Sequence, residues 1–184
     1  ANNAQESVDN LEIGGRNLLK RSSLLGEQLM CNRIDTMNDV TLGAYTSEGY
    51  HIVTPSTGNP NNGCGFYFSD FETLGLHPGD IITLSADIKG SSDAHDPFLS
   101  IHFAGTNTQW YGTGSIGKSK YFHTTDDFKR ISVSYKMPAK DKFTSNKMWL
   151  ALHGNYQADL YIRNLKLERG NKATDWTPAP EDSI

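Results

Sequence analysis

The stretch Ile82-Thr83-Leu84-Ser85-Ala86-Asp87-Ile88-Lys89 decides the fold class. Its apolar residues (Ile82, Leu84, Ala86, Ile88) alternate without a break with Thr83, Ser85, Asp87 and Lys89. A period of two sends successive side chains to opposite sides of an extended chain, so this segment reads as a strand with one buried face. Pro78-Gly79-Asp80 before it and Gly90-Ser91-Ser92 after it are turn formers.

The same alternation recurs on the C-terminal side. Leu99, Ile101 and Phe103 alternate with Ser100 and His102, and Ile131, Val133 and Tyr135 with Ser132 and Ser134. Met148, Leu150 and Leu152 alternate with Trp149, Ala151 and His153. Leu160 and Ile162 alternate with Tyr161 and Arg163, then the parity slips at Asn164 before Leu165 and Leu167, which predicts a bulge. Shorter runs lie at Cys64, Phe66 and Phe68, at 50–54 and at 17–20, and turn signals stand at Gly112 to Gly117, Pro138-Ala139 and Gly170-Asn171. About eight short strands with no crossover helix predict an all-β, antiparallel jelly-roll β-sandwich. The polar, irregular segment from Gly26 to Gly49 is expected to wrap the sandwich as a long connection.

Residues 1–13 differ from the rest. Ala1, Ala4, Val8 and Leu11 repeat at coiled-coil spacing before Gly14-Gly15 stops any helix. They read as the end of a stalk or linker through which the chain would form a homo-oligomer, a frayed terminus being the alternative, with residues 14–184 forming the head. The start at Ala1, with no initiator Met and no signal peptide, reads as a fragment of a longer protein.

Composition excludes several functions. The 184 residues suffice for one domain. With 17 basic against 21 acidic residues the net charge is −4, which argues against a nucleic-acid partner held by counterion release. Aromatics at 10% argue against disorder. No apolar run approaches the roughly 20 residues that span a bilayer, so no membrane insertion is expected. Cys31 and Cys64 are expected as free thiols, with a single bridge as the alternative.

Counting strands as 16–20, 50–56, 64–69, 81–89, 98–104, 129–137, 147–153 and 159–167 and applying jelly-roll wiring puts the second, seventh, fourth and fifth in one sheet. Its outer face would then gather Trp149, Asp87, His102, Ser100, His153 and Ser85, with Thr83 and either Tyr50 or His51. A Trp on a solvent face leaves a large apolar area uncovered. Ringed by carboxylate, imidazole and hydroxyl groups, it suits a pyranose, which offers an apolar C–H face and a rim of hydroxyls. Trp110 and Tyr111, in the glycine-rich tract 106–117, would close one end of this groove; the alternative is that this tract covers Trp149 in a second small core.

Catalytic signatures do not appear. Glycoside hydrolysis needs two carboxylates roughly 5–10 Å apart, and the expected face offers Asp87 alone, so the chain does not read as an enzyme. Asp93, His95 and Asp96 read as a solvated loop, and no cofactor is expected.

Two end motifs carry a resemblance. Gly14-Gly15-Arg16-Asn17-Leu18-Leu19 and the closing run Ile162-Arg163-Asn164-Leu165-Lys166-Leu167-Glu168-Arg169-Gly170-Asn171-Lys172-Ala173-Thr174-Asp175-Trp176-Thr177-Pro178-Ala179-Pro180-Glu181-Asp182 resemble the ends of head modules in tail proteins of phages that infect Gram-positive bacteria. Leu76-His77-Pro78-Gly79-Asp80 and the strand after it are similar to an internal part of the same modules. The resemblance implies a jelly-roll carbohydrate-binding domain on the virion, at a tail tip or fibre, that binds host surface or cell-wall polysaccharide alongside other phage tail subunits. The end motifs themselves read as scaffold, with Gly170-Asn171 turning the chain and Trp176 packing on the sandwich edge. Related jelly rolls often hold a structural calcium near the last strand, but Arg163 stands here where an acid would help. Two other readings remain, a structural protein-interaction module of the tail and an accessory sugar-binding domain of a secreted bacterial glycosidase.

Overall fold

The computed structural model describes residues 15–19, 35–36, 41–42, 46–53, 63–91, 98–105, 110–112, 127–153 and 159–183. The expected stalk, residues 1–13, lies outside them, as do Cys31, Asp93, His95 and Asp96. The strands in chain order are β1 (Asp35–Thr36), β2 (Thr41–Leu42), β3 (Tyr50–Val53), β4 (Gly63–Asp70), β5 (Ile81–Ser91), β6 (Phe98–Gly105), β7 (Trp110–Gly112), β8 (Lys129–Lys136), β9 (Phe143–His153) and β10 (Asp159–Arg169). They form two five-stranded antiparallel sheets, one ordered β1-β4-β9-β6-β7 and the other β2-β3-β10-β5-β8.

The alternation read from sequence sets the core. Ile82, Leu84, Ala86 and Ile88 of β5, with Leu160, Ile162, Leu165 and Leu167 of β10, point inward from one sheet. Leu99, Ile101 and Phe103 of β6 and Met148, Leu150 and Leu152 of β9 meet them from the other. Phe71, Phe103 and Phe143 pack edge-on or tilted at 5.2–5.8 Å between centroids and close one end. The jelly-roll β-sandwich is the fold.

The expected bulge in the last strand is present. Register shifts between Arg163 and Lys166, and Asn164 takes φ 56°, a left-handed conformation that Asn tolerates better than most side chains. The extra residue turns both Leu165 and Leu167 inward, which a strict two-residue period from Ile162 would not. A second register shift lies in β4, between Gly65 and Tyr67.

The wiring rule holds, but the strand count that fed it was off by one. Segment 16–20 is not a ladder strand among its described residues; Leu18 donates one backbone bond to Leu167 O at 2.8 Å, and Asn17 does the rest. Its side chain is fully buried. Nδ2 donates to Leu165 O (3.0 Å) and Thr177 O (2.9 Å), while Oδ1 accepts from the amides of Leu19 (3.0 Å) and Leu167 (3.2 Å). The first jelly-roll strand is therefore β3, and the strand overlooked is β7, three residues long and hidden among glycines. Renumbered from β3, the eight main strands pair as a jelly roll should, with β3, β10, β5 and β8 in one sheet and β4, β9, β6 and β7 in the other. The segment 26–49, expected as a plain connection, supplies β1 and β2, which add one edge strand to each sheet.

The chain after β10 turns at Gly170 (φ 103°) and folds back over the outer side of its own strand. That return buries Lys166 and Glu168, each 1% exposed, on a face that alternation alone would leave in water. Lys166 Nζ donates to Thr174 Oγ1 (2.9 Å) and Asp175 O (2.8 Å), and Glu168 accepts from Thr174 Oγ1 (2.8 Å) and Thr174 N (3.2 Å). Trp176 is half-buried, and Asn17, Lys166 and Glu168 of the end motifs serve as scaffold through the bonds just described.

Candidate functional site

Trp149 sits at the middle of the β1-β4-β9-β6-β7 sheet. Because Met148 and Leu150 on either side fill the core, its indole stands on the outer face, where it is half-buried. Across the ladder it pairs with Phe68 of β4 and His102 of β6. The His102 and Trp149 rings lie 5.6 Å apart at 32°. His102 in turn pairs with Gly112 of β7, and Trp110 and Tyr111 pair with Ala104 and Phe103. Strand β7 thus stands at the edge of the same sheet as Trp149. By register Trp110 shares the outer row with Ala104, whereas Tyr111 shares the row of Phe103, which fills the core, so Tyr111 does not belong to the outer face. His153, described in backbone only, pairs with Gly63 and Phe98.

Two steps along β9, Lys147 stands in register with Asp70 of β4. They form an ion pair at 3.3 Å, 40% and 46% exposed. In the other direction lies the row Gly65, Ala151 and Ser100, where Ser100 and Ala151 are buried at 0% and 1%. The outer face is therefore closed over Ser100 and open toward Lys147. Ser100 does not belong to the accessible surface. Asp70 and Lys147 do, and strand parity from Trp149 would have indicated Lys147; Asp70 was hidden by the bulge in β4.

Asp87 and Ser85 are on the opposite side of the molecule, because β5 belongs to the other sheet. Asp87 Oδ1 accepts from Arg130 Nη1 at 3.0 Å and Oδ2 from Asn164 Nδ2 at 2.9 Å. Arg130 also donates to Ser85 Oγ (2.9 Å) and to Asn164 O (3.1 Å). Thr83 is tied to Ser134 and Gly170 O. These groups serve the scaffold around the bulge and are corrected out of the proposed groove. Tyr50 is in the core, 5% exposed, and His51 is on this second face, stacked on Tyr161 at 4.4 Å and bonded to Asp159 at 2.5 Å.

The guanidinium of Arg130 occupies the ground between the Asp87 carboxylate, Ser85 Oγ and the Asn164 carbonyl, the oxygen cluster nearest the bulge. Among the described residues no group of three or more His, Cys, Asp or Glu converges as metal ligands would.

The Trp149 face thus combines a partly bare indole, an inclined imidazole and a solvent-accessible carboxylate–ammonium pair. An apolar plate beside fixed hydrogen-bond donors and acceptors matches the two-sided chemistry of a sugar ring.

No family model matches the chain, and no curated protein matches it in sequence. Among solved structures it is similar to the xylan-binding CBM22-1 domain of Paenibacillus barcinonensis Xyn10C, at 12% identity and TM-score 0.56, over 86% of this chain and 98% of that one. The tandem CBM22-1–CBM22-2 domain of the same enzyme gives 14% and 0.58, over 88% and 48%. The CBM22-1–GH10 modules of Clostridium thermocellum Xyn10B, solved with xylohexaose, give 14% and 0.56, over 86% and 29%. The fold is that of carbohydrate-binding modules. At this identity the likeness speaks for the fold alone.

Proposed function

We propose that this chain is a non-catalytic polysaccharide-binding head, and that the outer face of the β1-β4-β9-β6-β7 sheet is its binding surface. The observation that carries the reading is Trp149: a large aromatic side chain outside the core, only partly buried, beside His102 and the Lys147–Asp70 pair. Trp149 and His102 contact the C–H face of a sugar, Asp70 and Lys147 bond its hydroxyls, and β7, which carries Trp110 in register with Ala104, borders the groove. The end motifs favour the head of a phage tail protein, exposed on the virion and contacting host wall polysaccharide outside the cell. One such face gives weak affinity, on the order of millimolar to micromolar, which several heads on one stalk raise by avidity.

Titration with wall polysaccharide from Gram-positive hosts, alongside a glycan array, tests the reading. Saturable binding that Trp149→Ala weakens at least about tenfold is expected. Unchanged binding by a folded Trp149→Ala would remove this face from the mechanism, and failure to bind any glycan would favour a protein-interaction module. The likeness to xylanase modules supports a second reading, an accessory domain of a glycosidase, for which xylohexaose is the ligand to titrate.

A further inference from the structure

The entry segment (15–19), the turn after β4 (71–75) and the exit after β10 (177–183) meet at one end of the sandwich. Thr177 Oγ1 donates to Gly15 O at 3.3 Å, Arg16 donates to Glu181, and Arg169 Nη2 donates to Gly75 O. Between them lies a cleft of ≈ 400 Å³, with Leu18 and Leu74 among its apolar lining, Arg16, Arg169 and Glu181 as its charged groups, and Thr73 nearby. We propose that this cleft is a second sugar site, separate from the Trp149 face, that takes one carboxylate-bearing residue of uronic acid type.

Size and chemistry both point there. The volume falls in the range of small-ligand pockets and suits one monosaccharide. Leu18 supplies an apolar surface for the ring with Leu74 packed in the core beneath it, and Thr73, whose hydroxyl donates to Asp70 O at 2.7 Å, offers its oxygen as an acceptor for the rim. The two guanidiniums are planar forks suited to a carboxylate. Arg169 is incompletely satisfied: its Nε is buried with no hydrogen-bond acceptor among the described residues. The carboxylate facing it, Asp80 Oδ2, stands 3.9 Å away and already accepts the His77 amide at 2.9 Å. Arg16 is held by Glu181 in a pair that is 49% and 33% exposed, and exposed pairs of this kind contribute little net stability. An entering carboxylate therefore displaces Glu181 from Arg16 at small cost and adds its charge beside the Arg169 guanidinium, whose own ion pair with Asp80 is long at 3.9 Å. A neutral sugar offers neither gain.

Amide NMR on the full chain, titrated with D-glucuronate, D-galacturonate, glucose and acetate, tests the site. Saturable shifts at Thr73 and Gly75 are expected with at least one uronate and not with glucose or acetate. Arg16→Gln should weaken the uronate about tenfold. Glu181→Gln, which frees Arg16, should tighten it roughly two- to fivefold. Trp149→Ala should leave uronate affinity unchanged, and Arg16→Gln should leave polysaccharide binding at the Trp149 face unchanged, so the two sites fail separately. Repeating the titration with an oligouronate tells a free monomer from a residue within a polymer. Absence of saturable shifts with both uronates, equal shifts with glucose or acetate, or full affinity in Arg16→Gln would overturn the proposal.

Discussion

Asp87 accepts a 3.0 Å hydrogen bond from Arg130 on the side of the sandwich opposite Trp149, so the acid that alternation suggests for sugar contact is a structural group. The pair is only about one-fifth exposed and is locked by Ser85 and Asn164. Arg130→Met leaves that carboxylate with one partner and should destabilise the fold by about 1–3 kcal/mol. Urea denaturation should show a lower midpoint while glycan affinity stays unchanged. A folded Arg130→Met that loses glycan binding would return Asp87 to the binding mechanism.

Asp70 lies beside the indole in an ion pair open to water. Asp70→Asn should therefore change stability by no more than about 0.5 kcal/mol. If the carboxylate accepts sugar hydroxyls, the same variant should lose about tenfold in affinity. Calorimetric titration and thermal melting on one sample separate the two effects, and unaltered affinity would exclude Asp70 from the groove.

Asn17 joins the entry segment, the last strand and the returning tail through four hydrogen bonds. Asn17→Ala strands the amides of Leu19 and Leu167 and the carbonyl of Leu165 in a buried setting and removes the partner of the part-buried Thr177 carbonyl. A loss of roughly 2–4 kcal/mol is expected, since several groups lose their partners at once. Hydrogen exchange at Leu19 and Leu167 should accelerate well before the amides of β9 do. Uniform acceleration across both sheets would mean that Asn17 belongs to the global folding unit.

Lys166 is the buried cation beneath the tail. Burial holds its pKa below the usual 10.5, while the Glu168 carboxylate, 4.0 Å away, opposes that shift. The unfolded chain therefore keeps this proton to higher pH than the folded one. Stability contributed by this group rises as pH climbs from the lowered value toward 10.5, then levels off. Melting wild type and Lys166→Met across pH 7 to 10.5 should show the difference moving in favour of wild type. A difference that moves the other way would mean that attraction to Glu168 outweighs burial.

Legibility divided along a physical line. The inward sets of β5, β6, β8, β9 and β10 were readable because burial against a facing sheet enforces a period of two over several residues. The break at Asn164 was readable because a bulge inverts that period. Strand β7 was not, since three residues carry too little pattern, and β1 and β2 were missed for the same reason. At the candidate site, the outward placement of Trp149 and His102 followed from parity alone. The exclusion of Ser100 did not, because burial of an outward-facing position is not a property of its own strand.

By itself, then, the sequence determined an antiparallel sandwich, the residues of its core and an indole kept outside it, because side-chain direction along a strand is a local property. Which strands share a sheet was decided by tertiary structure, because partnership depends on every strand in the count and one miscounted strand moves all those that follow it. That step separated Asp87 from Trp149 and brought Asp70 of β4 to Lys147 on the face of the indole. It also placed Arg16 and Arg169 in one cleft, although they stand at opposite ends of the chain.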